Sequence, residues 1–149
     1  MTAEEIIDYL RLKPHPEGGW YRQTWAARIP KRPAGTCIYF LLKEGESSAW
    51  HRVDAGEIWH FYSGDPLILR RADSVEGPAF DTVLGSNLLA GEYPQLVVEA
   101  NQWQAARTTG KYTLVGCTVS PGFEFSGFEL ADKNFCLLYT SPSPRDIGP

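Results

Sequence analysis

Cysteine is scarce in this chain: Cys37, Cys117 and Cys136 stand at wide spacing and no C-x-x-C pair occurs. An odd, scattered set excludes a disulfide framework and a cysteine-ligated zinc site, and Cys37 and Cys117 read as small buried hydrophobes. Long apolar runs are missing too. The longest, Cys37 to Leu42, falls far short of the roughly 20 residues a helix needs to cross a bilayer. The chain opens MTAEEIID, with acids where a secretory leader carries basic residues, so the expected compartment is the cytoplasm. Basic surplus is lacking as well: 14 Lys and Arg face 18 Asp and Glu, a net charge of −4, which argues against nucleic acid as a partner. No internal repeat stands out.

What is present is a single domain's worth of core. The 149 residues are 43% hydrophobic and 21% charged, a size and balance that predict one compact unit. Aromatic residues are in excess, with 5 Trp, 7 Tyr and 7 Phe, a composition suited to lining a pocket, an interface or a β-rich core. Thr2-Ala3-Glu4-Glu5 fits a capping box, and Ile6, Ile7, Tyr9 and Leu10 form an apolar stripe, predicting a short helix over residues 3–12. After the turn-rich PHPEGG segment the pattern changes to short runs rich in β-branched and aromatic residues. Candidate strands are residues 20–26, 36–42, 48–53, 57–63, 67–71, 81–84, 95–99, 103–106 and 112–119. Their separators, among them Lys43-Glu44-Gly45-Glu46, Gly64-Asp65-Pro66 and Thr109-Gly110-Lys111, carry turn chemistry. The spacing predicts an all-β sandwich or barrel.

Residues 48–63 read as a hairpin whose side chains alternate between faces. Ala49, His51 and Val53 would share one face, joined by Glu57, Trp59 and Phe61. Trp50 and Arg52 would share the other with Ile58, His60 and Tyr62. Both faces are apolar enough to require cover, from the interior on one side and from the N-terminal helix or a second subunit on the other.

Gly45 through Gly64 reads G-x5-H-x-V-x3-E-x6-G. This resembles the first cupin motif, G-x5-H-x-H-x3-E-x6-G, with Gly45, His51, Glu57 and Gly64 in place and Val53 where the second histidine stands. The second cupin motif, P-x-G-x2-H, is eroded: Glu99 takes the proline position, Asn101 the glycine and Gln104 the histidine. Longer strings narrow the resemblance. PHPEGGWYRQTW (Pro14 to Trp25), HRVDAGEIWHFYSGDPL (His51 to Leu67), WQAAR (Trp103 to Arg107) and GCTVSPGFEF (Gly116 to Phe125) closely resemble a small single-domain cupin family long filed as a domain of unknown function. The resemblance implies a double-stranded β-helix, or jelly roll, with a short N-terminal helix. It also implies a homodimer and a shape related to sugar-nucleotide epimerases.

Two chemistries are open to these residues. In metal-binding cupins the motif positions hold a divalent metal, for which this chain offers His51, Glu57 and Gln104, with His60 a further candidate only if a bulge alters parity. Without a metal, His51 is a general base beside Glu57, whose charge is expected to raise the imidazole pKa, at the floor of a pocket walled by Trp59, Phe61 and Trp103. The expected ligand is a small polar or carbohydrate-like molecule. The candidate functions are a metal-independent epimerase or isomerase, a metal-dependent cupin enzyme, and a non-catalytic sensor or storage module. Tyr21 and Thr24 lie on opposite faces, so at most one lines the pocket. Glu17-Gly18-Gly19 reads as a turn that could close over it. Phe123, Phe125 and Phe128 are expected to extend the core outside it, and Arg70 and Arg71 to be solvated strand-end charges.

Cys136 through Asp146 reads CLLYTSPSPRD, which resembles the in-frame translation of a sequencing-library adaptor. The cupin domain is therefore expected over residues 1–135, with residues 136–149 a non-native tail.

Overall fold

Thr2 caps the first helix as its sequence predicts. Its hydroxyl accepts from the Glu5 N–H at 3.1 Å and the Glu5 carboxylate accepts from the Thr2 N–H at 2.8 Å. In the computed structural model, which describes residues 1–27 and 31–131, helix α1 (Ala3–Leu10) is closed by Arg11 in a left-handed conformation. That stop comes before residue 12, where the helix was expected to end. Ala3, Ile6 and Leu12 pack on Leu41, whereas Tyr9 faces solvent.

The strands are β1 (Lys13–Pro14), β2 (Trp20–Ala26), β3 (Thr36–Lys43), β4 (Ser47–Val53), β5 (Gly56–Gly64), β6 (Leu67–Ala72), β7 (Ala79–Leu84), β8 (Gln95–Val98), β9 (Trp103–Thr108), β10 (Tyr112–Ser120) and β11 (Phe128–Leu130). Among the described residues they form two antiparallel sheets, ordered β1-β2-β3-β10-β5-β8 and β11-β4-β9-β6-β7. The architecture is the expected jelly-roll sandwich. Alternate residues of both sheets meet inside it, where Phe40, Leu42, Trp59, Leu67, Leu69, Leu84, Leu96 and Val115 make the main core. No helix among the described residues is long and apolar enough to cross a membrane. The tail expected over residues 136–149 lies outside the described residues.

One expectation fails in a way that matters for the site. Residues 48–63 are not a hairpin, because β4 pairs with β9 and β11 while β5 pairs with β10 and β8. The Asp54-Ala55 link crosses from one sheet to the other. His51 and Glu57 therefore approach across the interior of the sandwich rather than along one ribbon. Parity also breaks within β4, where the register against β9 shifts between Ser48 and His51. This bulge turns Ser48 inward with His51 and leaves Ala49 exposed. In β5 the expected alternation holds, with Glu57 and Trp59 buried inward.

Arg71 also departs from expectation. It is buried, donating to the Val97 carbonyl at 2.7 Å and the Thr82 hydroxyl at 2.9 Å, because its strand position points into the sandwich. Arg70, one residue earlier, points outward and meets Asp81 at 2.7 Å.

Phe40, 2% exposed at the centre of the sandwich, sets a test of this packing. Phe40→Ala is expected to cost about 3–5 kcal/mol of unfolding free energy in urea titration, and a loss under about 1 kcal/mol would contradict a central position.

Candidate functional site

The site is built where the PHPEGG loop crosses the β4 bulge. The Ala49 N–H donates to the Glu17 carbonyl at 2.6 Å, which brings the loop against the strand. A Cβ at Gly18 (φ 105°) would collide with the Ser47 carbonyl oxygen, so only glycine permits this approach. The loop thereby inserts the Glu17 side chain into the sandwich, where the Ser48 hydroxyl donates to Oε2, His51 Nε2 lies 3.4 Å from the same oxygen, and His15 Nδ1 lies 3.4 Å from Oε1. Glu17 and His15 are the functional residues that sequence reasoning missed. Both sit in the string that carries the family resemblance, but a carboxylate before two glycines reads as a turn.

The protonation pattern follows from the partners. His51 Nδ1 lies 2.7 Å from the Ala49 carbonyl, which only accepts, so the neutral ring carries its proton there and presents an unprotonated Nε2 toward Glu17. His15 Nδ1 accepts from the Glu17 N–H at 3.1 Å, which places its proton on Nε2. Burial, with a contribution from His51, lowers the His15 pKa to about 4, and burial pushes Glu17 up to about 8. The close His15–Glu17 and His51–Glu17 contacts are thus between neutral partners at pH 7, not ion pairs. Burial also lowers the His51 pKa, outweighing the opposite pull of Glu57. The expected rise is overturned because desolvation of the imidazolium costs more than the nearby carboxylate returns.

Glu57 is held from behind. The Trp59 indole N–H can only donate, and it donates to Gln104 Oε1 at 2.9 Å, so Gln104 must turn its amide N–H to Glu57 Oε1, also at 2.9 Å. Burial and the nearby Glu17 push Glu57 up to about 7. The Cys117 thiol also hydrogen-bonds Glu57, and burial first among several causes pushes that thiol well above its ordinary range.

A cavity of about 450 Å³ opens over these groups, a volume suited to a small molecule. Its lining includes His15, Glu17, His51 and Glu57 together with Tyr21, Val53, Phe123 and Phe125. Tyr21, not Thr24, faces it, since the exposed Thr24 hydroxyl is turned to the Cys37 carbonyl. The expected aromatic walls are elsewhere. Trp59 is core and serves Gln104, Phe61 packs on the same core, and Trp103 joins Ala72, Ala79 and Trp50 in a separate cluster. Gln104 reaches the site only through Glu57. His60 faces away from the cavity and meets Thr118 Oγ1 at 3.0 Å. In place of Trp59, Phe61 and Trp103, the aromatic wall comes from Phe123 and Phe125, and the Phe128 ring lies 5.4 Å from that of His51. These C-terminal phenylalanines were expected outside the pocket; the turn after β10 folds them back over its mouth. Asn101 adopts φ 67°, the left-handed conformation suited to the glycine of the second cupin motif and tolerated best by Asn among other residues.

With this geometry in place, the comparisons are decisive for the family. The model of the cupin superfamily family DUF985 matches residues 4–131. The chain is a DUF985 cupin. A solved structure of a Shewanella oneidensis protein shares 39% identity with this cupin, covers 89% of it and 85% of its own chain, and superposes with a TM-score of 0.84. A hypothetical protein from Leishmania major shares 29% identity, with 91% and 90% covered and a TM-score of 0.82. Oxalate decarboxylase from Bacillus subtilis, at 14% identity, 78% of this cupin and 29% of its own chain, has a TM-score of 0.62 and shares the fold alone. No curated protein matches.

Cupin folds commonly hold a divalent metal, but the donors here do not fit one. Val53 replaces a ligating histidine, and the Gln104 amide is committed between Trp59 and Glu57. Among the described residues no three His, Cys, Asp or Glu side chains group as a metal site. Elemental analysis of protein purified without a histidine tag, after growth with added iron, manganese, nickel and zinc, is expected to find far less than one metal per chain. A retained equivalent would overturn this reading.

The raised carboxyl pKa values predict a pH dependence of stability. Between pH 6.5 and 8 an unfolded glutamate is ionised while Glu17 stays protonated in the fold, so the folded state binds more protons and stability falls as pH rises. The lowered histidines act oppositely, adding stability as pH climbs from about 4 to 6.5, and are spent above that. Urea unfolding is expected to lose on the order of 1–2 kcal/mol between pH 6.5 and 8. Glu17→Gln should flatten the slope, and an unchanged slope would contradict the assignment.

Proposed function

We propose that this cupin is a metal-independent acid–base enzyme of the isomerase or epimerase type, acting on a small polar, carbohydrate-like ligand in the pocket with His51 as general base. The observation that carries the reading is the pairing of an unprotonated His51 Nε2, its tautomer set by the Ala49 carbonyl, with the Glu17 carboxyl 3.4 Å away in one enclosed cavity. A neutral imidazole beside a protonated acid is the equipment for moving a proton next to a carbonyl.

In the proposed step His51 Nε2 takes a proton from the carbon beside the ligand's carbonyl while the Glu17 carboxyl gives its proton to the carbonyl oxygen. The resulting enediol is neutral, so no charge develops in the apolar cavity beyond the imidazolium and the Glu17 carboxylate, which face each other. Return of the His51 proton to the neighbouring carbon, with Glu17 recovering a proton from the second hydroxyl, completes an isomerisation. Return to the opposite face of the original carbon would require a second donor. Glu57, whose pKa is pushed up to about 7, is ionised in part at neutral pH, and that charge favours the imidazolium that forms, which makes it an electrostatic partner of the base.

Incubation with keto-sugars in deuterated water is the test. Solvent deuterium should enter the carbon next to the carbonyl, exchange should vanish in His51→Ala, and Glu17→Gln should slow it about 10²- to 10⁴-fold. The wild-type rate should fall as pH rises through about 8, where Glu17 loses the proton it must donate. Binding of panel members by calorimetry with no exchange in any of them would overturn the catalytic reading in favour of a binding module.

A further inference from the structure

The mouth of the pocket is cationic. Arg11, Lys13 and Arg22 all border it, whereas its acidic lining residues, Glu17 and Glu57, are buried within. The chain as a whole carries a net charge of −4, so this concentration of cations runs against the general surface balance. Three partly buried arginines elsewhere find acids: Arg32 meets Asp54, Arg52 meets Glu129 and Arg70 meets Asp81. Among the described residues, Arg11, Lys13 and Arg22 meet no carboxylate.

Each of the three is held at the opening by the fold. Arg11 closes α1 with φ 58°, a conformation that glycine usually supplies at this position and that costs more with a side chain. Lys13 pairs with Tyr21 across β1 and β2, its ammonium 5.6 Å from the ring centroid, so it stands beside the tyrosine that lines the cavity. Arg22 donates its Nε–H to the Leu10 carbonyl at 2.7 Å. Its guanidinium carbon also lies 5.6 Å from the Tyr39 ring centroid, and its terminal nitrogens make no hydrogen bond to another described residue.

We infer that Arg11, Lys13 and Arg22 form an anion subsite, so that the ligand of this pocket carries a carboxylate or phosphate group at the mouth while its uncharged part reaches His51. The inference rests on the proposed reading of the pocket as the ligand site and narrows its substrate class to polar molecules with one anionic end. Planar guanidinium groups suit either oxyanion, since both accept paired N–H donors. The buried floor, with Glu17 protonated and the two histidines neutral, carries little charge, so the cavity is graded from cationic opening to nearly neutral depth.

The test is an NMR titration of the full chain, following amide resonances, with inorganic phosphate, acetate and glucose as separate probes. Phosphate or acetate should produce saturable shifts at Arg11, Lys13 and Arg22. A response to phosphate alone assigns a phosphate subsite, to acetate alone a carboxylate subsite, and to both a general oxyanion subsite. The double variant Arg11→Gln/Lys13→Gln should weaken the apparent affinity at least tenfold, Lys13→Arg should retain it, and Lys111→Gln, a lysine away from the pocket, should leave it unchanged. Absence of saturable shifts at the three residues, or equal weakening by Lys111→Gln, overturns the inference. Glucose-induced shifts at Tyr21 and His51 without any anion response at the mouth would sink the subsite and leave the pocket reading standing. Anion binding at the mouth in a protein that exchanges no deuterium would do the reverse.

Discussion

Taking a carboxyl group out of water with no cation to face it is among the more costly things a fold can do, and here it is done twice. Glu17 and Glu57 are both buried, and among the described residues neither forms an ion pair with an arginine or lysine. The cost is limited by raising both pKa values, to about 8 for Glu17 and about 7 for Glu57, and by giving each a hydrogen-bond partner: Ser48 for Glu17, Gln104 for Glu57. The same desolvation holds His15 and His51 neutral. A cavity floor with little net charge, yet rich in groups able to take or give a proton, is the consequence.

Position follows from the backbone. The β4 bulge turns Ser48 and His51 inward together and frees the Ala49 backbone, whose N–H donates to the Glu17 carbonyl and whose carbonyl accepts from the His51 ring. One residue in the bulge thus fixes both the entry of the loop and the tautomer of the base. The second sheet contributes Glu57, braced through Gln104 by the Trp59 indole in the core. Site and core are coupled there, because a change in how Trp59 packs would release the amide that holds Glu57.

Much of this was legible in the residues themselves. The run of short β-branched segments announced the sandwich, and the spacing from Gly45 to Gly64 singled out His51 and Glu57, which the fold brings to one cavity. Asn101, read as a departure from the motif, takes the backbone conformation that glycine would. What could not be read was anything depending on which sheet a strand joins. The Asp54-Ala55-Gly56 segment has the composition of a hairpin turn, but it crosses between sheets, and local turn chemistry does not distinguish the two outcomes. Parity counted through Ala49 failed at the bulge. Trp59 and Trp103 looked like pocket walls because aromatics serve core and pocket equally well. Glu17 and His15 were hidden because a loop residue reveals its partner only when the chain is folded, and the phenylalanines after β10 were misplaced for the same reason.

The central claim is that His51 presents a bare Nε2 to a protonated Glu17 at neutral pH. It is tested most directly by NMR of protein labelled with nitrogen-15 at histidine and carbon-13 at the glutamate carboxyls, recorded from pH 5 to 9. The account predicts a His51 proton on Nδ1 at pH 7 and a Glu17 carboxyl that stays neutral until about pH 8. A Glu17 carboxylate already ionised at pH 6, or a His51 proton on Nε2, would contradict it.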